Sequence, residues 1–337
     1  MLTATMNEQK ILPSTLRGYR WQSARREDIP ALYEMMLAVD RADDRGFTIT
    51  LQDMQTQYDD PWCDPETDFR LAFTPGGQVA AMARVFVNPL PNPEEHRAHF
   101  WGEIHPEHRG RGLEELILDW LEQRGQERLQ SAHDGKICVL RIGLPDNLAD
   151  FIALIERRGF CPVRHFNRMR RDLGQPIPAG PLPEGLSLRC YSPQLERLML
   201  ETFNASFQDH WGFELASEQD WQMFYIQSSS FRPDLTFVAM DGERVAGLSL
   251  NMVHPEANER QNIREGWITE LGVRREWRKR GVATALLCQA MRAFEAEGLD
   301  YATLGVDAAS PTGALRLYER LGFVPVKRFV TFAKPVG

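Results

Sequence analysis

ITELGVRREWRKRGVATALLCQAMRAFEAEG, residues 268–298, is the stretch on which the reading of this chain turns. Its first six residues alternate as a half-buried strand does, and VATALLCQAMRAFEAEG (282–298) has the i, i+3, i+4 apolar spacing of a helix that ends on a glycine. Between them RREWRKRG makes a basic turn, with Gly281 at the point where strand gives way to helix. A helix start leaves backbone N–H groups without partners and carries the positive end of the helix dipole, so it attracts a diphosphate. Gly281 permits the tight turn, Ala283 lets an anion approach the backbone, and Arg278, Lys279 and Arg280 add positive charge. The same residues also describe a basic, solvated loop ahead of an ordinary helix, so the motif needs support from the rest of the chain.

That support comes from comparing the chain with itself. HPEHRGRGLEELILDWL (105–121) faces RREWRKRGVATALLCQA (274–290), with Gly112 opposite Gly281. Downstream, FIALIERRGFCPV (151–163) faces ALRLYERLGFVPV (314–326), each ending a helical pattern at a glycine and entering a strand. Upstream, FRLAFTPGGQVAAMARVFVNP (69–89) parallels LTFVAMDGERVAGLSLNMVHP (235–255), each a strand, a glycine turn and a second strand. Three blocks in one order indicate two tandem copies of one unit. Between them LGQPIPAGPLPEG carries four prolines and three glycines and reads as a linker, giving units at 1–172 and 186–337 joined by 173–185. The opening MLTATMNEQKIL has no period and reads as a lead-in or arm. Strands alternating with amphipathic helices predict, in each copy, an α/β fold with a mixed sheet flanked by helices.

Composition narrows the function classes. The 337 residues are 43% hydrophobic and 26% charged, which suits folded domains, and no run approaches the roughly 18 apolar residues of a membrane helix. A formal charge of −8 argues against nucleic acid as the main partner. Five scattered cysteines, none in a C-x-x-C pair, suggest neither a disulfide framework nor a thiolate metal site, and the cytoplasm is the expected location. Four histidines gather in EEHRAHFWGEIHPEHRG, but strand alternation should point them apart, so no metal is expected.

With both blocks in place, the second copy resembles the GNAT superfamily of N-acetyltransferases, whose coenzyme loop reads (Gln or Arg)-x-x-G-x-(Gly or Ala), here Arg278 to Ala283. GVDAASPTGALRLYERLGF (305–323) resembles the family's fifth strand and the A-x-x-L-Y-x-x-x-G-F helix after it. The tandem layout is similar in architecture to the fused two-domain arrangement of the mycothiol synthase type. The resemblance implies acetyl-CoA as acyl donor, a small-molecule or peptide primary amine as acceptor, no metal, and a monomer or homodimer. It further implies a V-shaped split between the strands ending near Val273 and Val306. Backbone N–H groups of Leu271 and Val273, flanking Gly272, would contact pantetheine and thioester there, and amides from Arg278 through Val282, Ala283 and Thr284 would hold the diphosphate.

Amine attack on a thioester needs a base and profits from an acid. The resemblance places Tyr318 near the coenzyme sulfur as the acid, although a tyrosine packed at a helix–sheet seam would read the same. Glu270, on the strand lining the split, leads as base and Glu265 follows, while the strand position most used in the family is occupied by Trp267. Glu270 reads equally as an ion-pair partner. The aromatic and acidic segment 204–227 offers Asp209, His210, Trp211 and Phe213 as an acceptor pocket, or as plain core. In the first copy Glu114 stands opposite Ala283, Ile155 opposite Tyr318 and Trp101 opposite Glu270, so support rather than catalysis is expected of it. The reading from a different class is a noncatalytic acyl-CoA-binding or partner-binding protein.

Overall fold

A computed structural model describes residues 15–16, 18–46, 48–60, 63–88, 95–130 and 135–336, and the lead-in read at 1–12 lies outside them. The first half contributes strands β1 (Thr15–Leu16), β2 (Tyr19–Ser23), β3 (Phe69–Phe73), β4 (Val79–Phe86), β5 (Glu95–Ile104), β6 (Ile137–Pro145) and β7 (Cys161–Asp172). Its helices are α1 (Ile29–Asp43), α2 (Leu51–Tyr58), α3 (Pro65–Asp68), α4 (Leu113–Leu129) and α5 (Ala149–Arg157). The second half repeats the order with β8 (Ser187–Cys190), β9 (Phe237–Asp241), β10 (Arg244–Val253), β11 (Glu265–Val273), β12 (Tyr301–Asp307) and β13 (Val324–Val336). Its helices are α6 (Glu196–Phe207), α7 (Glu218–Trp221), α8 (Pro255–Gln261), α9 (Val282–Ala296) and α10 (Ala314–Arg320).

The expected mixed α/β fold is the one observed, with all strands joined in one 13-stranded sheet. Among the described residues only β5–β6 and β11–β12 pair in parallel; the other pairings are antiparallel. The apolar stripe of α9 explains its seat: Val282, Leu286, Leu287, Cys288, Met291 and Phe294 are buried, with Ile268 and Ala302 in the same core. Gly266 on β11 makes room for it, because a Cβ there would lie 2.7 Å from the Phe294 ring.

One feature of the topology was not legible in the sequence. The sheet order runs β5-β6-β13-β7-β12-β11, so each half lends its last strand to the other. β13 pairs with β6 from Pro145↔Phe329 to Cys138↔Val336, and β7 pairs with β12 from Phe166↔Asp307 to Asp172↔Tyr301. The two exchanged strands pair with each other, with Phe166 opposite Phe329, so a local two-fold axis runs through that pair. The 173–185 segment lies outside regular helix and strand and is tied back by Arg292, which donates to the carbonyls of Pro178 (2.6 Å) and Ala179 (2.5 Å).

Candidate active site

The site is opened by an extra residue in β11. The register with β10 jumps from Leu250↔Glu270 to Asn251↔Ile268, leaving Thr269 as a bulge. Parallel pairing of β11 with β12 stops at Ile268↔Leu304, and beyond that point the two strands part. The N–H of Arg274 donates to Ala246 on the β10 side (3.0 Å). By the two-residue period of a strand, the amides of Leu271 and Val273 therefore face the split.

The turn after β11 is shaped to present N–H groups. Lys279 and Gly281 both have left-handed backbone (φ 61° and 96°), and a Cβ on Gly281 would meet open space, so the backbone rather than packing demands glycine. Lys279 lacks that freedom, and its conformation costs about 1 kcal/mol. No side chain caps α9, which leaves the first-turn amides of Val282, Ala283 and Thr284 facing a cleft of about 690 Å³. Arg278 is a strut: it donates to Val273 O (3.0 Å) and Ser206 O (2.8 Å) and pairs with Asp209 (2.6 Å). Lys279 and Arg280 are exposed beside it. Uncapped amides, two left-handed residues and a roomy basic cleft fit the diphosphate and pantetheine of an acyl-CoA.

A second cleft, of about 310 Å³, adjoins the first, and Tyr318 lines both. Glu270 faces this second cleft, half-buried. Loss of water pushes its carboxyl up to about 7, while a hydrogen bond from the Tyr225 hydroxyl to Oε1 (2.8 Å) pulls the other way. Tyr318 is buried, and that burial, together with the charge of Glu270, pushes its phenol up, so it keeps its proton at neutral pH. One cavity is thus lined by a carboxyl pushed up to about 7 and a phenol that keeps its proton.

Comparison with known proteins bears on this geometry. Residues 193–323 match the acetyltransferase (GNAT) family. A mycothiol acetyltransferase of Thermobispora bispora is 32% identical over 227 residues, which take in 65% of this chain and 70% of that protein. A GCN5-related N-acetyltransferase from Sphaerobacter thermophilus superposes with a TM-score of 0.72 at 27% identity, covering 95% of this chain and 96% of that one. The chain belongs to the GNAT acetyltransferase family. It is an N-acetyltransferase-type enzyme of that family, whose donors are acyl-CoA thioesters. Its tandem GNAT layout has a solved parallel in a tandem GNAT protein from the clavulanic acid biosynthesis pathway, alike in fold at TM-score 0.65 and 15% identity over 95% of this chain and 99% of that one.

Within this GNAT fold the residues singled out in the sequence have distinct surroundings. Asp209 is committed to the loop: Arg275 and Arg278 hold its carboxyl down at about 2. Glu265 is buried away from both clefts and accepts from Arg170 (2.8 Å), Thr303 (2.7 Å) and Trp267 (2.9 Å), an ion-pair role. His210 lines both clefts, its ring 4.4 Å from that of Phe207 and its basicity lowered by burial and by Arg278. Trp211 walls the smaller cleft with Arg141 4.2 Å from its ring, whereas Phe213 packs toward Phe203 in the core.

Four contributors went unnoticed in the sequence. Tyr225 sits in a π-helical turn, Gln222–Ile226, that no residue pattern announces. Thr269, the bulge residue, has a buried hydroxyl with no partner. Phe166 and Asn167 reach the smaller cleft from the exchanged strand β7, so the first half helps to wall it. Of the four histidines, His105 and His108 do approach Glu107, with ligand atoms within 4.8 Å. Each already has a hydrogen-bond partner there: the Tyr19 hydroxyl on β2 meets His108 Nδ1 (2.9 Å), and the Glu107 amide donates to His105 Nδ1 (3.3 Å). No helix among the described residues is long and apolar enough to cross a membrane.

Proposed function

We propose that residues 186–337 transfer an acetyl group from acetyl-CoA to a primary amine of a small molecule or peptide, with residues 1–172 as a noncatalytic support and 173–185 as the linker. The observation that carries this reading is that Glu270 and Tyr318 line one cavity directly beside the uncapped amides of α9. Acetyl-CoA supplies the activated acyl group. Loop amides from Arg278 to Thr284 fix its diphosphate, and the amides of Leu271 and Val273 face the oxygen on which charge develops. Ionised Glu270 takes a proton from the acceptor ammonium, freeing the lone pair that forms the new amide bond. As the C–S bond breaks, Tyr318 provides the proton that the departing thiolate takes up, and the second proton, shed by the nitrogen as the amide forms, restores the phenol. His210, Trp211 and Phe166 give the acceptor its apolar wall. The name carried by the relatives supports acetyl as the acyl group.

The test is a mass-spectrometric screen of amines with acetyl-CoA, followed by Glu270→Gln and Tyr318→Phe. One acetylated product, with turnover lost in both variants and calorimetric acetyl-CoA binding kept, is the expected result. An unchanged activity in both variants would favour a noncatalytic acyl-CoA-binding protein instead.

A further inference from the structure

A third cavity, of about 580 Å³, lies where the halves meet, and Arg168 is a wall of both this crevice and the smaller catalytic cleft. The end of α1, strand β7, the turn after α8 and the start of β13 enclose it. Five cationic side chains line it: Arg41, Arg168, Arg170, Arg260 and Lys327. Two carboxylates face them, Asp40 and Asp44, and Glu265 stands behind Arg170 at 2.8 Å. In a chain of net charge −8, this is a local reversal of sign.

Three of the arginines are already engaged, Arg170 by Glu265, Arg168 by the carbonyls of Arg45 (3.3 Å) and Gly46 (3.2 Å), and Arg260 by the Tyr33 hydroxyl (3.4 Å). Lys327 is in a different position. Its side chain is 14% exposed, yet its ion partner Asp44, 3.4 Å away, is 98% exposed. Burial pushes the ammonium down, and Asp44 offsets that only in part. Across the local two-fold axis Arg164 occupies the matching place and is saturated, with both carboxylate oxygens of Asp307 (2.7–3.0 Å) and the carbonyl of Ala309 (3.0 Å). An ammonium has three donors, and a desolvated one with a single loose partner gains from any anion that enters. Arg41, exposed in the last turn of α1, adds a cation at the rim.

We propose that this crevice binds a small carboxylate or phosphate, held chiefly by Lys327 with Arg41 at the rim. The anion has two conceivable sources, a free effector or the anionic tail of the amine acceptor reaching past Arg168. Only the second rests on the acetyl-transfer reading.

Calorimetric titration of the full chain with inorganic phosphate and with citrate tests the site itself. Saturable binding that weakens as salt is raised is expected, with affinity falling about tenfold or more in Lys327→Met and several-fold in Arg41→Ala, while acetyl-CoA affinity stays unchanged. Arg41 is exposed, so its loss reports on binding even if Lys327→Met folds poorly. Steady-state assays separate the sources. If the anion is part of the acceptor, amines bearing a carboxylate or phosphate exceed their uncharged isosteres about tenfold in kcat/KM, and Lys327→Met removes the preference. Binding of the free anion without any such preference identifies an effector. The proposal is overturned if neither anion binds up to about 10 mM and no preference for anionic amines exists, or if binding is indifferent to both substitutions. Phosphate binding by a protein that ignores acetyl-CoA would sink the functional reading and leave this site standing.

Discussion

The loops leading into α4 and α9 share a scaffold and differ in what they can hold. In each, an arginine donates to the last carbonyl of the preceding strand, Arg109 to Ile104 (3.3 Å) and Arg278 to Val273 (3.0 Å). In each, that arginine pairs with an aspartate beside the end of a helix, Asp43 in one case and Asp209 in the other. Each has two left-handed residues, Gly110 and Gly112 against Lys279 and Gly281. The first loop is nevertheless closed from within: Glu114 accepts from the Gly110 amide at 2.7 Å, where an incoming anion would bind. Its strand β5 runs against β4 with no register shift, although it leaves β6 after Phe100↔Ile142 much as β11 leaves β12 after Ile268↔Leu304. Arg45, bridging buried Asp43 and Glu103 (2.5 Å to the latter), lines the cleft beside that loop. The same loop backbone therefore carries an internal carboxylate in one half and uncapped amides in the other, a difference made at the loop by one side chain.

The strongest challenge to that contrast is chemical. Glu270→Gln should lower kcat by about 10²–10⁴-fold, whereas Glu114→Ala should leave kcat/KM within about twofold, both read from initial rates. Next in size is a transplant. Ala283→Glu installs the first loop's plug in the second, and acetyl-CoA affinity should fall roughly a hundredfold by calorimetry as the new carboxylate competes for the loop amides. An unchanged affinity would show that Glu114 is not what closes the first loop.

The remaining tests are smaller and concern pH. The proposed base role requires Glu270 to be ionised, so kcat/KM should climb about tenfold per pH unit below about 7 and level off above it. Its folded-state value lies above the ordinary 4.5, so the folded protein binds that proton more tightly than the unfolded chain does. Ionised Glu270 therefore costs stability, a cost that grows from about pH 4.5 to 7 and then stays constant. Glu270→Gln should consequently gain on the order of 1–3 kcal/mol at pH 8 and nothing near pH 4, measured by denaturant unfolding. Tyr225→Phe, the mildest change, removes the hydrogen bond that favours the charged form, so the midpoint of the pH–rate profile should move upward by less than about one unit.

Much of this was visible in the residues. The strand, basic turn and helix at 268–298 stand where their periodicity put them, because a strand period of two and a helix period of 3.6 are local properties. The repeat revealed the tandem layout for the same reason. The partners of the carboxylates were not visible: Asp209 and Glu265 have the same chemistry as Glu270, and only the fold sets the first two among arginines and the third in a drying cleft beside Tyr225. The bulge at Thr269 and the π-turn around Tyr225 leave no compositional trace. Nor could GFCPV and GFVPV say which half each strand would join, since that choice depends on pairings distant in sequence.

The exchanged strands also impose an order on assembly. β6 is made early but is flanked on one side by β13, roughly 190 residues downstream, which at ordinary synthesis rates emerges on the order of 10–40 s later. Until then the first half exposes an open strand edge beside a hydrophobic core that still lacks Val330 and Phe332, a state that invites pairing with the wrong neighbour. Completion of the first-made half thus waits on the last-made strand, and a stalled or clipped chain would lose both halves together.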